Sequence, residues 1–467
     1  MTGQQYDVVI IGGGPGGYVA AIRAAQLGLK VGLVEREHLG GVCLNWGCIP
    51  TKALLRNAEV ARLVTQGGKT YGFTAGDVTL DYAAAVERSR KVSGRLVKGV
   101  QALMRGNGVE VIWGTGRLSS PTEVTVELNE GGTRTLTAQS VILATGARPR
   151  LIPNVVADGE RVLTSREALA RRELPDRAVV IGAGPIGLEF ATIWSSYGAE
   201  VTVVEMMPQI LPAEDAEAAK ELGRHLRRAK IKMLTSTRVQ AVEPTSSGVV
   251  VKVQGSEGES TLEADVALVA IGVRANTEGL GLESLGVTLE RGWVKVDATM
   301  RTQVPNIYAI GDLTGVLPLA HVASAQGILV AELIAGRKPA PFDTRFIPRA
   351  TYTSPQVASF GMTEAQARER VQDLAVGRFP FLPNGKALAL GENVGWVKIM
   401  SDPVSHEILG AVIVGPEATE LIHELVVAAR WELTPEEVAR TVHAHPTLSE
   451  AVMEAAHGVF DAPIHMV

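Results

Sequence analysis

The sequence predicts an α/β protein built from two strand–turn–helix–strand units followed by a terminal α+β domain, and three observations carry that prediction. An apolar strand near residue 10 runs into a glycine-rich turn and an alanine-rich helix. The same pattern returns 170 residues later without a gap. From about residue 346 the glycine turns give way to strands punctuated by Pro348, Pro355 and Pro383, with a helix-rich tail from Glu417 onward.

In the first unit Asp7-Val8-Val9-Ile10-Ile11 reads as a buried strand. It ends in Gly12-Gly13-Gly14-Pro15-Gly16-Gly17 and continues as a helix through Ala20, Ala21, Ala24 and Ala25. A second strand, Lys30 to Val34, ends at Glu35, 18 residues past Gly17. That is near the spacing at which an acid meets a ribose hydroxyl. In the repeat Gly12 maps to Gly182, Gly14 to Gly184, Gly17 to Gly187, Gly28 to Gly198 and Glu35 to Glu205. The first glycine permits the turn, the second lets backbone approach a pyrophosphate, and the third lets helix and strand pack closely. Two Rossmann-like dinucleotide-binding domains are expected. Both end in Glu, and Met206 and Met207 add no positive charge, so the second site favours NAD over NADP.

Between the units lie short β runs, Val109 to Trp113, Val124 to Leu128 and Thr135 to Thr137. They lead to Val141-Ile142-Leu143-Ala144 and then Thr145-Gly146, and a second such return occurs at Val266 to Gly272. The expected organisation is 1–150 and 151–276 as the two dinucleotide domains, 277–345 as a central segment completing the first site, and 346–467 as a separate α+β domain.

Composition agrees. With 467 residues the chain is long for one core, and its 50 glycines exceed the usual share of about 7%. A net charge of −5 gives no bulk attraction to nucleic acid or an anionic membrane surface. Residues 1 to 11 show no basic start, apolar stretch and cleavage site, and no run of about 18 apolar residues follows, so a cytoplasmic protein is expected.

Only two cysteines occur, Cys43 and Cys48, in Gly40-Gly41-Val42-Cys43-Leu44-Asn45-Trp46-Gly47-Cys48-Ile49-Pro50-Thr51-Lys52. On a helix, residues five apart can bridge only with local distortion, which Gly47 and Pro50 would permit. The alternatives are two core cysteines, or a zinc pair that lacks a second pair of ligands at the expected spacing. His445 and Glu450 sit five apart in a Pro-containing turn, where the acid can fix the tautomer of the imidazole and raise its basicity; no metal is called for. His443, His457 and His465 read as surface or satisfied residues.

The Gly40–Lys52 stretch resembles the redox motif of the dihydrolipoamide dehydrogenase branch of the flavoprotein disulfide reductases. The resemblance runs through Ala144-Thr145-Gly146, the Gly182 turn, Ile307-Tyr308-Ala309-Ile310-Gly311-Asp312, Leu319-Ala320-His321-Val322-Ala323 and His443-Ala444-His445-Pro446-Thr447-Leu448-Ser449-Glu450. It implies that the first unit binds FAD, the second binds NAD, and the terminal domain makes a homodimer. Cys43 matches the thiol that exchanges with substrate, and Cys48 the thiol against the flavin. Lys52 matches the lysine near the flavin, and Glu189 the carboxylate that pairs with it. His445, held by Glu450, matches a base supplied by the second subunit. Carried over position by position, FAD contacts fall on Gly12, Gly14, Gly17, Glu35, Arg36, Gly41, Val42, Lys52, Gly116, Ala144, Thr145, Gly146, Asp312 and Ala320. NAD contacts fall on Gly182, Gly184, Gly187, Glu205, Val239 and Gly272. For Asp312 the alternative is a helix N-cap. The implied partners are lipoyl domains of 2-oxo acid dehydrogenase or glycine cleavage complexes, and neither nucleic acid nor membrane.

Sibling activities are weighed on the same residues. Glutathione and trypanothione reductases prefer NADPH and carry an aromatic gate and basic residues where this chain has Ile186 and Glu205. Mercuric reductase has a further C-terminal cysteine pair, where this sequence reads Ile464-His465-Met466-Val467. A nucleotide-binding subunit without catalysis would not need Cys43, Cys48, Lys52, Glu189, His445 and Glu450 together. A quinone-reducing diaphorase activity would survive loss of Cys43.

Overall fold

The computed structural model describes residues 4–460 and 463–466; residues 1–3, at the start of the segment read for a leader, and Val467 of the C-terminal string lie outside the description. The chain divides into two units, one of residues 1–53, 86–150 and 272–344, the other of 54–85, 151–271 and 345–467.

In the first unit the apolar runs form a parallel sheet. Glu110–Ser120 pairs with Val31–Glu35, which pairs with Gln4–Ile11, then Thr133–Leu143 and Ile307–Ala309. Val31–Glu35 is buried at every position, as a parallel strand covered on both faces should be. The outer parts of two of these strands leave the parallel layer and join Glu123–Leu128 in an antiparallel meander. By sequence pattern Thr135–Thr137 and Val141–Ala144 are separate runs. They belong to one strand, Thr133–Leu143, that changes partner part-way, so polar Gln139 and Ser140 do not end it. The helices Pro15–Gln26 and Ala320–Ile334 cross closely, and a Cβ on Gly327 would lie 2.6 Å from the Gly16 carbonyl oxygen.

The second unit contains the repeat. Its parallel sheet runs Lys232–Leu234, Glu200–Val204, Arg177–Ile181, Val266–Val269 and Val162–Leu163. An antiparallel sheet follows, of Arg238–Pro244, Val249–Gly255 and Gly258–Ala264. A further five-stranded antiparallel sheet, in the order Arg349–Thr351, Gln356–Gly361, Ile408–Gly415, Trp396–Ser401 and Ala375–Pro380, packs its apolar face under the helices Ala418–Arg430, Pro435–Arg440 and Glu450–Gly458. Among the described residues no helix is long and apolar enough to cross a membrane, and no cluster of three or more His, Cys, Asp or Glu side chains is placed to hold a metal.

Candidate active site

The two glycine turns are built alike, bond for bond. Gly12 and Gly182 have φ of +108° and +104°. Their N–H groups donate to the Val34 and Val204 carbonyls, both at 2.8 Å. Glu35 accepts from the Gly13 and Glu37 amides, each at 2.7 Å, and Glu205 accepts from Ala183 at 2.7 Å and Met207 at 2.8 Å. Each acid therefore bridges its turn to the end of the next strand and keeps lone pairs for a further donor.

The glycines are needed for close approach. A Cβ at Gly17 would stand 1.8 Å from the Gly12 oxygen, and one at Gly187 would stand 2.0 Å from the Gly182 oxygen. At Gly12 and Gly182 it would meet the Ala144 and Ala270 oxygens at 2.3 and 2.5 Å. Gly14 and Gly184 cap their helices with no side-chain bond, and a Cβ on Gly14 would find nothing nearer than the Gly41 Cα at 3.9 Å. Each helix N-terminus thus presents bare amides at an open position, which fits a pyrophosphate.

The dithiol segment grows out of the first turn. Gly40 N donates to Gly13 O at 2.8 Å, and Gly41 approaches so closely that its Cβ would lie 2.7 Å from the Gly14 Cα. A short helix, Gly41–Trp46, stops at Gly47, and a second one, Cys48–Gln66, begins at once. The interruption at Gly47 allows residues five apart to meet. Pro50, expected to share in that distortion, instead lies in the first turn of the second helix, where a missing N–H costs nothing.

Cys43 and Cys48 meet as a pair of thiols hydrogen-bonded to each other. That bond and burial hold the Cys43 thiol far above its ordinary range, while the Lys52 charge pulls it down. The segment is braced by Asn45 Nδ2, which donates to the Gly41 and Leu39 carbonyls at 2.8 and 3.1 Å, and by Arg90, which donates to Asn45 O and to Ser93 Oγ. Asn45, Arg90 and Tyr18, whose hydroxyl is perturbed by burial and by Cys43, were missed in the sequence; Arg90 is 45 positions from its partner.

The remaining first-unit candidates are each fixed by their own local partners. Thr145 and Asn276 exchange two hydrogen bonds, 2.8 and 2.9 Å, which fix the Ala144-Thr145-Gly146 turn. Gly116 packs under Ile11 and Val34, the Arg36 carbonyl accepts from Asn129, and Val42 is exposed. Ala320 opens the Ala320–Ile334 helix. Asp312 is not an N-cap. It lies inside the short turn Gly311–Thr314, which is capped by Ile310, and burial pushes its carboxyl up to about 6. Nearby, Gln326 Oε1 accepts from Gly311 N at 2.7 Å, while its Nε2 is buried with no hydrogen-bond partner. A desolvated carboxylate beside an open helix N-terminus fits a ligand that brings hydroxyls as well as phosphates.

In the second unit Glu189 is 3% exposed and accepts from Tyr352 N at 3.0 Å. Val239 lies in the Arg238–Pro244 strand. Gly272, expected with the NAD set, opens the segment 272–344 that belongs to the first unit, and its carbonyl accepts from Arg150 N at 2.9 Å. Lys52 and Glu189 likewise belong to different units.

His445 Nδ1 bonds Glu450 Oε1 at 2.8 Å, and Glu450 Oε2 accepts from Thr447 N at 2.8 Å. Burial works against the ionised Glu450, but the Thr447 amide and His445 hold its carboxyl below the usual range. The His445 side chain is 78% exposed, so its free edge faces outward. His443 is a satisfied residue, between Thr441 O at 2.7 Å and Glu424 at 2.6 Å.

Residues 6–327 match the family model described as pyridine nucleotide-disulphide oxidoreductase, and residues 347–456 match that family's dimerisation domain. The dihydrolipoyl dehydrogenase of Zymomonas mobilis is 47% identical, covering 98% of this chain and 99% of its own. That of Mycobacterium leprae is 47% identical over 99% of both. Among solved structures, LpdA from Mycobacterium tuberculosis superposes with a TM-score of 0.91 at 32% identity, covering 97% of this chain and 99% of that one. The HOCl-induced flavoprotein disulfide reductase RclA from Escherichia coli gives 0.87 at 26%, with the same coverage. Members of the family use FAD and NAD(H), and the dimerisation domain supports a homodimer. The chain therefore belongs to the pyridine nucleotide-disulphide oxidoreductase family, as an NAD-dependent flavoprotein oxidoreductase.

Proposed function

We propose that this enzyme is a dihydrolipoyl dehydrogenase, oxidising protein-bound dihydrolipoyl groups at a Cys43–Cys48 disulfide and reducing NAD⁺. The observation that carries the reading is the pair of thiols meeting across the Gly47 break, tied by Gly41 to the first glycine turn. Bound FAD supplies the two-electron relay between this dithiol and NAD⁺. Gly12, Gly14, Gly17, Glu35, Arg36, Gly41, Val42, Gly116, the Ala144–Gly146 turn, Asp312 and Ala320 hold FAD. Gly182, Gly184, Gly187, Glu205, Val239 and Gly272 hold NAD⁺, Lys52 supplies a cation beside the dithiol, and Glu189 supplies a buried carboxylate. In domain terms, 1–150 and 277–345 form the FAD region, 151–276 the NAD domain and 346–467 the dimer interface.

A substrate thiolate attacks Cys43 Sγ, breaking the Cys43–Cys48 bond and forming a mixed disulfide; the second substrate thiol then expels Cys43, closing the lipoyl ring and leaving a dithiol. A thiol of ordinary pKa, about 8.5, is mostly protonated at neutral pH, so the attack needs a base. His445 of the partner subunit takes that proton, with Glu450 holding the ring. In a homodimer the exposed edge of His445 is then the edge that works. The lipoyl groups are those of 2-oxo acid dehydrogenase or glycine cleavage complexes in the cytoplasm.

Cys43→Ser and Cys48→Ser are expected to abolish NAD⁺ reduction by dihydrolipoamide while leaving the protein yellow and able to pass electrons from NADH to a quinone. Retention of dihydrolipoamide oxidation in Cys43→Ser would overturn the assignment.

A further inference from the structure

Lys398 lies in the Trp396–Ser401 strand with 1% of its side chain exposed. Its Nζ donates to Glu364 at 2.8 Å, Asp215 at 2.9 Å and Glu217 at 3.0 Å. A buried ammonium persists only when paired, and this one has more carboxylates than it needs. The excess negative charge is met at the rim, where Arg378 lies 3.6 Å from Glu217 and Arg368 lies 2.7 Å from Glu364. One position before Asp215, Glu214 is held by Arg349 at 2.9 Å and by the Ser359 hydroxyl. Residues 214, 215 and 217 are thus pinned to the antiparallel sheet from several directions.

The pinned residues end the irregular stretch that leads from Glu205 to the Ala216–Arg228 helix. The middle of that stretch touches the second glycine turn, for Leu211, at φ +45°, donates its N–H to Ala183 O at 2.9 Å. Glu214 N donates to Leu211 O at 2.9 Å, and Gln209 Nε2 donates to Glu214 O at 3.1 Å and Leu211 O at 3.4 Å. Ala183 N closes the path on the Glu205 carboxylate at 2.7 Å. Bonds therefore run unbroken from Lys398 through Asp215, Glu214, Leu211 and Ala183 to Glu205.

We propose that Lys398, remote in sequence from both glycine turns, is a positioning residue for the nicotinamide nucleotide. By anchoring residues 214–217 it fixes Leu211 against Ala183, and so holds the Gly182–Gly184 turn and the Glu205 carboxylate in their binding geometry before the nucleotide arrives. Ordering done in advance is not charged to binding. The inference rests on the reading of the Gly182 turn as the NAD site.

The test is NADH affinity, measured by fluorescence titration of the FAD-loaded dimer, beside the KM for NAD⁺ and the rate of enzyme reduction by dihydrolipoamide. In Lys398→Met the NADH Kd and the NAD⁺ KM are expected to rise about tenfold, the order expected when a charged hydrogen-bonded anchor of a preorganised site is lost, with the dihydrolipoamide half-reaction changed much less. Because that variant strips a cation from buried carboxylates, Gln209→Ala tests the same path without changing charge, and a rise of about threefold is expected from one lost neutral hydrogen bond. Glu205→Ala separates the two failures. If it leaves NADH affinity unchanged, the nucleotide site lies elsewhere and the proposal falls with it. If it weakens NADH while Gln209→Ala and any folded Lys398→Met bind normally, the site reading stands and the positioning role is overturned.

Discussion

His445 and Glu450 stand five positions apart in one turn, so the sequence alone brings the imidazole and its carboxylate within reach, and the structure sets them 2.8 Å apart. Removing the orienting acid should cost less than removing the base. Glu450→Ala is expected to lower kcat/KM for dihydrolipoamide about 10–100-fold, the equivalent of one hydrogen bond to a charged group at about 1.5–3 kcal/mol. His445→Gln should lower it by about 10²–10⁴. NADH-to-quinone turnover, which does not need the base, is the internal control for both. Asp312 gives a pH effect of definite sign. Its carboxyl is raised from 3.8 to about 6 by burial, so its contribution favours the fold below pH 3.8 and is lost as pH rises through 6. In flavin-stripped protein at pH 8, Asp312→Asn should therefore stabilise by up to about 3 kcal/mol, two pKa units' worth, and the gain should vanish near pH 4. Denaturant melts at the two pH values decide it.

At the scale of elements, the two βαβ units were legible because each is local: strand, turn, helix and acid follow within about thirty residues, the span of one such unit. The structure repeats even the two amide-to-carboxylate bonds at the same offset. What the sequence could not tell was how a strand behaves once it meets two partners, hence the merging of Thr133–Leu143, or that the helix break falls on Gly47 and not on Pro50. The close packing makes a contrast between glycines. Gly17→Ala drives a Cβ to 1.8 Å from a carbonyl oxygen and is expected to destabilise at the upper end of about 1–3 kcal/mol, with loss of FAD. Gly94→Ala, on the exposed face of the Tyr82–Gly106 helix with nothing within 4 Å of the new Cβ, should stabilise by about 0.5–1 kcal/mol. Calorimetry together with the flavin-to-protein absorbance ratio distinguishes them.

Over the whole molecule, legibility fails where partners are far apart in the chain. Lys398 meets Asp215 across 183 positions and Glu424 meets His443 across 19, and neither pairing leaves a spacing to read. The motif strings stand out because each is one contiguous segment. The long-range ion pairs still set a global property. Asp215 and Glu364 are both held below their ordinary values, against burial, chiefly by Lys398. Depressed carboxyls stabilise above their unfolded pKa of about 4 and lose that contribution as pH falls through the folded value. Wild type should therefore lose stability below about pH 4 more steeply than Lys398→Met, as read by urea midpoints across that range.

The central claim is that electrons pass from a dihydrolipoyl thiol, through the Cys43–Cys48 pair and FAD, to NAD⁺. The most direct measurement mixes the yellow enzyme anaerobically with dihydrolipoamide, records the visible spectrum, and then adds NAD⁺. A long-wavelength absorbance that appears with dihydrolipoamide and disappears as NADH forms is the predicted result. No such band and no NADH, with flavin bleached by NADPH instead, would contradict the account and identify a different disulfide reductase.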